Sequence, residues 1–272
     1  AKITEDYDIV HTHDWFGAEA GVKARKYGDV KWVSTIHSLS SGRTRNGSGG
    51  ELEKLEEIAV EKPDKTLAVS KKLAEEVEDE YGEKPEVIHN GFSTPKSSGK
   101  DVKSYLGISG DIVFFVGRHA EQKGIEHLLY GFQKFLEEDE AELVIGGDGY
   151  MRESLEEFAE MLGIEEKVYF VDYIPSEELG DYYSAADLFV SPSINEPFGL
   201  TITEALESGT PALATENGVS EISSEFIIET SPDSEEIAEG IMKGLEMDRE
   251  VDVEGRSWNE MAEEVLEVYG SL

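Results

Sequence analysis

The stretch DLFVSPSINEPFGLTITEALESGTPALA, Asp187–Ala214, decides the fold. Its first residues, through Ser191, form a short apolar run that reads as a strand. The Pro-, Ser- and Asn-rich segment after it reads as a loop. A helix is expected to begin near Gly199, and a second strand at Pro211–Ala214 follows the Gly209-Thr210-Pro211 stop. Two short strands joined through a helix make a parallel βαβ unit, the building block of a doubly wound sheet.

The same alternation extends in both directions. Strands are expected at Ile112–Val116, Glu142–Ile145 and Val168–Val171 before this unit and at Phe226–Glu229 after it, with a helix over Ile237–Met247. Counting Leu188–Ser191 and Pro211–Ala214, these make a complete doubly wound domain. Upstream, Asn90–Gly110 contains NGFSTPKSSGK and reads as a linker. Ahead of it lies a smaller α/β block, with strands at Asp8–His11, Lys31–Ile36, Lys65–Val69 and Glu86–His89 and helices at Phe16–Tyr27, Glu51–Val60 and Lys71–Tyr81. Ser41–Gly50 (SGRTRNGSGG) reads as a mobile loop. The last helix, Trp258–Tyr269, is expected to pack through Trp258, Met261, Val265, Leu266 and Tyr269. The expected fold is therefore α/β with two Rossmann-like domains, residues 1–92 and 93–256, followed by a helix over 257–272. A cleft between such domains is a usual place for a ligand.

Composition narrows the function. Of 272 residues, 60 are acidic and 24 basic, a formal net charge of −36. A nucleic-acid or anionic-membrane partner is excluded by like-charge repulsion. The acidic excess is spread along the chain, a pattern expected of a protein kept soluble in high salt. There is no cysteine, so disulfides, thiolate catalysis and cysteine-ligated zinc are excluded. No apolar run approaches the ~20 residues needed to span a bilayer. With no apolar signal core at the N-terminus, a cytoplasmic protein is expected.

Four places could carry chemistry. Glu196 and Glu204 have seven residues between them, one in the loop before the helix and one on its second turn. They flank the N–H groups of Phe198, Gly199, Leu200 and Thr201, which a helix start leaves free for a phosphate. The plainer alternative is a capping Glu196 and a solvated Glu204. In VGRHAEQKG, the strand ends in Gly117, and Arg118 and Lys123 follow where doubly wound sheets bind ligands. A planar fork and a point charge can both hold phosphate; surface ion pairs are the alternative. Gly146-Gly147-Asp148-Gly149 permits close backbone approach, and a tight strand-to-helix turn would explain it equally. His11-Thr12-His13-Asp14-Trp15 supplies at most two good metal ligands and is read as polar ligand contacts, with no metal site. His37, His89, His119 and His127 are read as structural.

Together these stretches resemble the retaining GT-B glycosyltransferases of family four, close to the glycogen and starch synthases. The resemblance rests on HTHDW (11–15), TIHS (35–38), VSKKL (69–73), NG (90–91), VGR…QKG (116–124), GGDG (146–149) and EPFGLTITEALESGTP (196–211). It implies a nucleotide-diphosphate sugar as substrate, a saccharide acceptor, no cofactor, and transfer of a hexose, glucose first, with retention. Arg118 and Lys123 would grip the diphosphate, with Gly117, Gly147 and Asp148 beside them. Glu196 would hydrogen-bond the donor sugar, Glu204 the ribose, and the backbone of Gly199–Thr201 the phosphate, next to Phe198. His13 would reach the sugar, and the last helix would return to the first domain. The chain differs from the pattern in three ways: the first strands and their glycine-rich loop are expected to be missing, Ser93 stands where the family has Asp, and Asn217-Gly218 replaces Gly-Gly ahead of Glu221. Two other readings remain, a nucleotide-sugar epimerase and a non-catalytic nucleotide-sugar-binding fragment.

Overall fold

The computed structural model describes residues 7–41, 50–247, 251 and 255–272. Most of the Ser41–Gly50 segment therefore lies outside the described residues. The chain forms two compact units, one of residues 1–91 with 256–272, the other of residues 92–255.

The first unit holds strands β1 (Ile9–His13), β2 (Lys31–Ile36), β3 (Lys65–Ala68) and β4 (Glu86–Val87), paired in that order and all parallel. Helices α1 (Ala18–Tyr27), α2 (Glu51–Glu61) and α3 (Lys71–Tyr81) connect them. Trp32 is fully buried, with its indole N–H donating to Thr12 Oγ1 at 2.8 Å. The last helix of the chain, Trp258–Gly270, belongs to this unit. A capping box between Ser257 and Glu260 starts it, and Arg256 grips Glu264 through both terminal guanidinium nitrogens at 2.7 Å. Its packing face differs from expectation. Met261, Val265, Val268, Tyr269 and Leu272 meet Val33, Leu67 and Ile88, while Trp258 and Leu266 are exposed. Positions 261, 265, 268 and 272 keep the 3.6-residue period; Leu266 falls off that stripe.

The second unit begins with a correction. The Ser- and Gly-rich segment is no slack linker. It contains helix α4 (Val102–Leu106), capped by Asp101 accepting from Ser104 N and closed by Gly107 in the left-handed region. Before it, Asp181 gathers donors from the Ser97 and Ser98 hydroxyls and the Ser98 and Gly99 backbone. These bonds hold the Asp181 carboxyl well below its usual range although burial opposes them.

Strands β5 (Ile112–Val116), β6 (Glu142–Gly146), β7 (Val168–Val171), β8 (Leu188–Ser191), β9 (Ala212–Ala214) and β10 (Ile227–Glu229) form one parallel sheet in the order β10-β9-β8-β5-β6-β7. Helices α5 (Ile125–Phe135), α6 (Arg152–Leu162), α7 (Leu179–Ala185), α8 (Leu200–Glu207) and α9 (Ser234–Leu245) complete the unit, which makes the Trp258–Gly270 helix α10. Both faces of β5 are buried. Val113 and Phe115 join Leu128, Leu129 and Phe132 of α5 and Ile237 and Ile241 of α9 in one cluster. Phe114, pointing the other way, meets Tyr183 and Phe189 edge to face. This two-sided burial is why the strands read as continuous apolar runs. Among the described residues no helix is long and apolar enough to cross a membrane.

Candidate functional site

The strand order places the site. From β5 the chain winds outward through β6 and β7, then returns to the opposite side of β5 as β8. Helix α5 after β5 packs on the Val113 and Phe115 face, whereas α8 after β8 packs with α7, whose Tyr183 meets Phe114 on the other face. The loops leaving β5 and β8 therefore start side by side and part, and this reversal point is where open α/β sheets bind ligands.

Two close backbone approaches hold these loops. Gly124 has φ +65°, and a Cβ on it would strike the Pro192 carbonyl oxygen. Ile194 N donates to Gln122 O at 2.9 Å across the same seam. Gly147 has φ +108° and sits against Gly117 O, while His119 N donates to Asp148 O at 2.8 Å. The GGDG run thus locks the β6–α6 turn onto the β5–α5 turn, and Asp148 spends a carboxylate oxygen on Gly149 N.

At the seam Lys123 Nζ lies 2.8 Å from Glu196 Oε2, and Ser193 Oγ donates to the same oxygen at 3.1 Å. Glu196 is buried, with 9% of its surface exposed, and Lys123 is partly buried. Thr215 Oγ1 in turn donates to Ser193 O, which fixes the loop from β9. Glu196 is therefore no helix cap: no side chain caps α8. The first ladder bonds of α8 run from Ile202 and Thr203 to Gly199 O, which leaves the Leu200 and Thr201 N–H groups outside the ladder. Phe198 is buried beneath the turn and Leu200 is half exposed. Arg118 is exposed and makes no ion pair among the described residues, in a chain with 60 acidic side chains.

Glu204 lies on α8, partly buried, and accepts from Tyr183 Oη at 2.9 Å. Burial pushes its carboxyl above the usual range, with the Tyr183 bond working against that rise. Ser193 and Tyr183 escaped the sequence reading, which took His119 as structural. His119 is fully buried, its ring held neutral by burial, with Nδ1 unpartnered among the described residues. Only its position beside Arg118 could have drawn notice. Asn217 caps Ser220 N with its side-chain oxygen, a turn role within the Asn217-Gly218 variant.

His13 belongs to the other unit, exposed at the carboxyl end of β1. Its Nδ1 is 2.9 Å from His37 Nε2, and its ring stacks on His11 at 4.6 Å. His11 bonds Tyr269 Oη at 2.6 Å and Thr35 Oγ1 at 2.7 Å, and its pKa is pushed down to about 4, chiefly by burial. His37 is also lowered, again mainly by burial. Among the described residues no three His, Cys, Asp or Glu side chains are placed to hold a metal ion.

Residues 104–263, which contain this whole crevice, match the family model described as glycosyl transferases group 1. The chain belongs to that family. Residues 2–95 match the model of glycosyltransferase family 4, so both units carry a glycosyltransferase signature. An uncharacterised glycosyltransferase of Methanocaldococcus jannaschii is 31% identical over 97% of this chain and 75% of its own length. The mannosylfructose-phosphate synthase of Agrobacterium fabrum is 29% identical over 78% of this chain, which spans only 54% of that enzyme. The fold matches that of HepE from Anabaena, crystallised in complex with UDP-glucose, with a TM-score of 0.81 over 98% of this chain and 80% of that one, at 21% identity. Two Rossmann-like parallel-sheet domains in a glycosyltransferase of this kind are the GT-B architecture.

Proposed function

We propose that this glycosyltransferase transfers a hexose, glucose first, from a nucleotide-diphosphate sugar to a saccharide with retention of configuration. The observation that carries the reading is the convergence, at the sheet's reversal point, of the Lys123–Glu196 pair, an Arg118 with no ion pair among the described residues and the uncapped start of α8. Cations, helix-start N–H groups and carboxylates gathered at one place suit a ligand that carries both a diphosphate and sugar hydroxyls.

In the proposed reaction the bond between sugar C1 and the β-phosphate oxygen breaks, leaving an oxocarbenium-like sugar. The acceptor hydroxyl oxygen bonds C1 from the face the diphosphate leaves, and its proton passes to a diphosphate oxygen. Arg118, Lys123 and the N–H groups of Leu200 and Thr201 stabilise the charge that develops on the leaving group. Gly117 and the Gly147-Asp148 turn form the wall beside it. Glu196 has Oε2 taken by Lys123 and Ser193, which leaves Oε1 for a sugar hydroxyl. Glu204 takes the ribose. This division of labour needs no metal.

The Agrobacterium relative is named for a fructose-phosphate product, which supports testing hexose phosphates beside glucans as acceptors. The net charge of −36 supports a protein adapted to high salt, and the absence of cysteine fits a reducing cytoplasm. The test is a panel of UDP-, ADP- and GDP-hexoses with both acceptor types in multimolar potassium chloride, with released nucleotide and saccharide product measured and the product's anomeric configuration read by NMR. A retained glycoside is expected. Nucleotide release without any glycoside would favour the epimerase-like alternative, and an inverted product would end the retaining assignment.

A further inference from the structure

Tyr183 stands out among the buried polar groups near the crevice. It is fully buried on α7, yet its hydroxyl reaches Glu204 on the neighbouring helix α8. The ring is held from several directions. Phe114 of β5 lies 5.3 Å away and Phe189 of β8 5.4 Å away, both edge to face, and Thr210 Oγ1 donates to the Tyr183 carbonyl at 2.6 Å. The hydroxyl is therefore a donor whose position is set by the sheet itself.

We propose that Tyr183 is a positioning residue of the donor subsite, fixing the Glu204 carboxylate so that Oε2 is engaged and Oε1 is presented to ribose hydroxyls. This rests on the donor-site reading above and deepens it. A carboxylate on a helix surface has free rotation about its terminal torsion, and each ligand bond must overcome that freedom. A rigid donor on one oxygen removes it beforehand.

The same bond governs charge. Burial drives Glu204 toward its protonated form, and the Tyr183 bond counters that drive. Tyr183 cannot compete for the proton, because burial and the facing Glu204 push its own pKa far up. Of the elements packed on α8, helix α7 brings Asp181, which is engaged by Ser97, Ser98 and Gly99, and Tyr182 beside Tyr183. Strands β8 and β9 bring none, the turn Val219–Glu221 brings Glu221, and α8 itself carries Glu207, which accepts from Thr94 Oγ1 at 2.9 Å. The ionised Glu204 is the form that accepts ribose hydroxyls, so binding falls as pH drops through its raised pKa. Removing the Tyr183 hydroxyl moves that midpoint to higher pH.

The experiment titrates UDP, ADP and GDP, and their 2′,3′-dideoxy counterparts, calorimetrically into wild type and Tyr183→Phe between pH 5 and 8. Phe keeps the ring packing, and a thermal melt confirms the fold. The variant is expected to bind the ribonucleotides about five- to twentyfold more weakly at pH 6, less so at pH 8, and the dideoxy forms like wild type. Carbon-13 NMR of labelled glutamate side chains is expected to show Glu204 protonating at higher pH in the variant. Equal ribonucleotide affinity for both proteins, or an equal loss with the dideoxy forms, would overturn the role of Tyr183 alone. A folded wild type that binds none of the three diphosphates would overturn the donor-site reading and this inference with it.

Discussion

Lys123 Nζ and Glu196 Oε2, 73 positions apart in sequence, lie 2.8 Å from each other where the loops leaving β5 and β8 meet. The pair ties together the two halves of the crevice and draws a carboxylate into a place where only 12% of its side chain is exposed. A half-broken pair leaves one charge poorly solvated. Lys123→Ala is therefore expected to cost about 2–4 kcal/mol of stability, more than Glu196→Gln, whose amide can still meet Ser193. Chemical denaturation of the two variants checks the order. In ligand binding Glu196→Gln is expected to leave free nucleoside diphosphate affinity near that of wild type and to weaken only the nucleotide sugar.

Gly147 is expected to tolerate no side chain. At φ +108°, with a Cβ directed at Gly117 O, Gly147→Ala must displace the β5–α5 turn that carries Arg118. A loss of about 3 kcal/mol or more is expected. Denaturant midpoints measure it, and an unchanged midpoint would refute the backbone lock.

Asp181 predicts a pH effect. Its carboxyl titrates well below the ordinary Asp value because hydrogen bonds from Ser97, Ser98 and Gly99 outweigh burial. A depressed folded pKa adds stability that is present above the unfolded value, near pH 4, and is lost as pH falls toward the folded one. Asp181→Asn, which turns an NH2 group toward donors, is expected to cost about 2 kcal/mol or more at pH 7. The gap between variant and wild type should narrow below pH 4, as urea melts at a series of pH values would show.

Salt should stabilise this protein. With −36 charges, self-repulsion is strongest in dilute buffer, where the Debye length is about 30 Å at 0.01 M, and falls off once it shrinks to about 3 Å at 1 M. The melting temperature is expected to rise steadily from low to multimolar potassium chloride. A flat profile would contradict adaptation to high salt.

Much of the fold was legible because buried parallel strands are compositionally loud. Lys31–Ile36, Ile112–Val116, Val168–Val171 and Leu188–Ser191 and helix Lys71–Tyr81 have in the structure the bounds their apolar runs imply. The segment before β5 was misread because serine and glycine suit a slack linker and a fastened one equally; the difference is Asp181, more than 80 positions on, which collects their donors. The face of α10 differs at Leu266, which the 3.6-residue period through Met261, Val265 and Val268 already places off the stripe, and at Trp258, which lies on the period but is left exposed. Glu196 and Lys123 each drew notice for type and position, but their pairing depends on β8 returning beside β5, a fact of topology that no local pattern encodes. Nothing in the sequence singles out Tyr183, whose packing and polar role lie at opposite ends of one side chain and show only once α7 and α8 are placed side by side.

The most direct test of the donor-site account is a calorimetric titration of UDP, ADP and GDP into wild type and Arg118→Ala, in 2 M potassium chloride with EDTA present. Arg118 is exposed, so the variant should fold with an unchanged melting temperature. The account predicts that at least one diphosphate binds wild type despite the chelator and that Arg118→Ala loses about 2–4 kcal/mol of that binding, a charge-assisted contact to the diphosphate being removed. Equal binding to both proteins, or binding that appears only when a divalent ion replaces the EDTA, would contradict it.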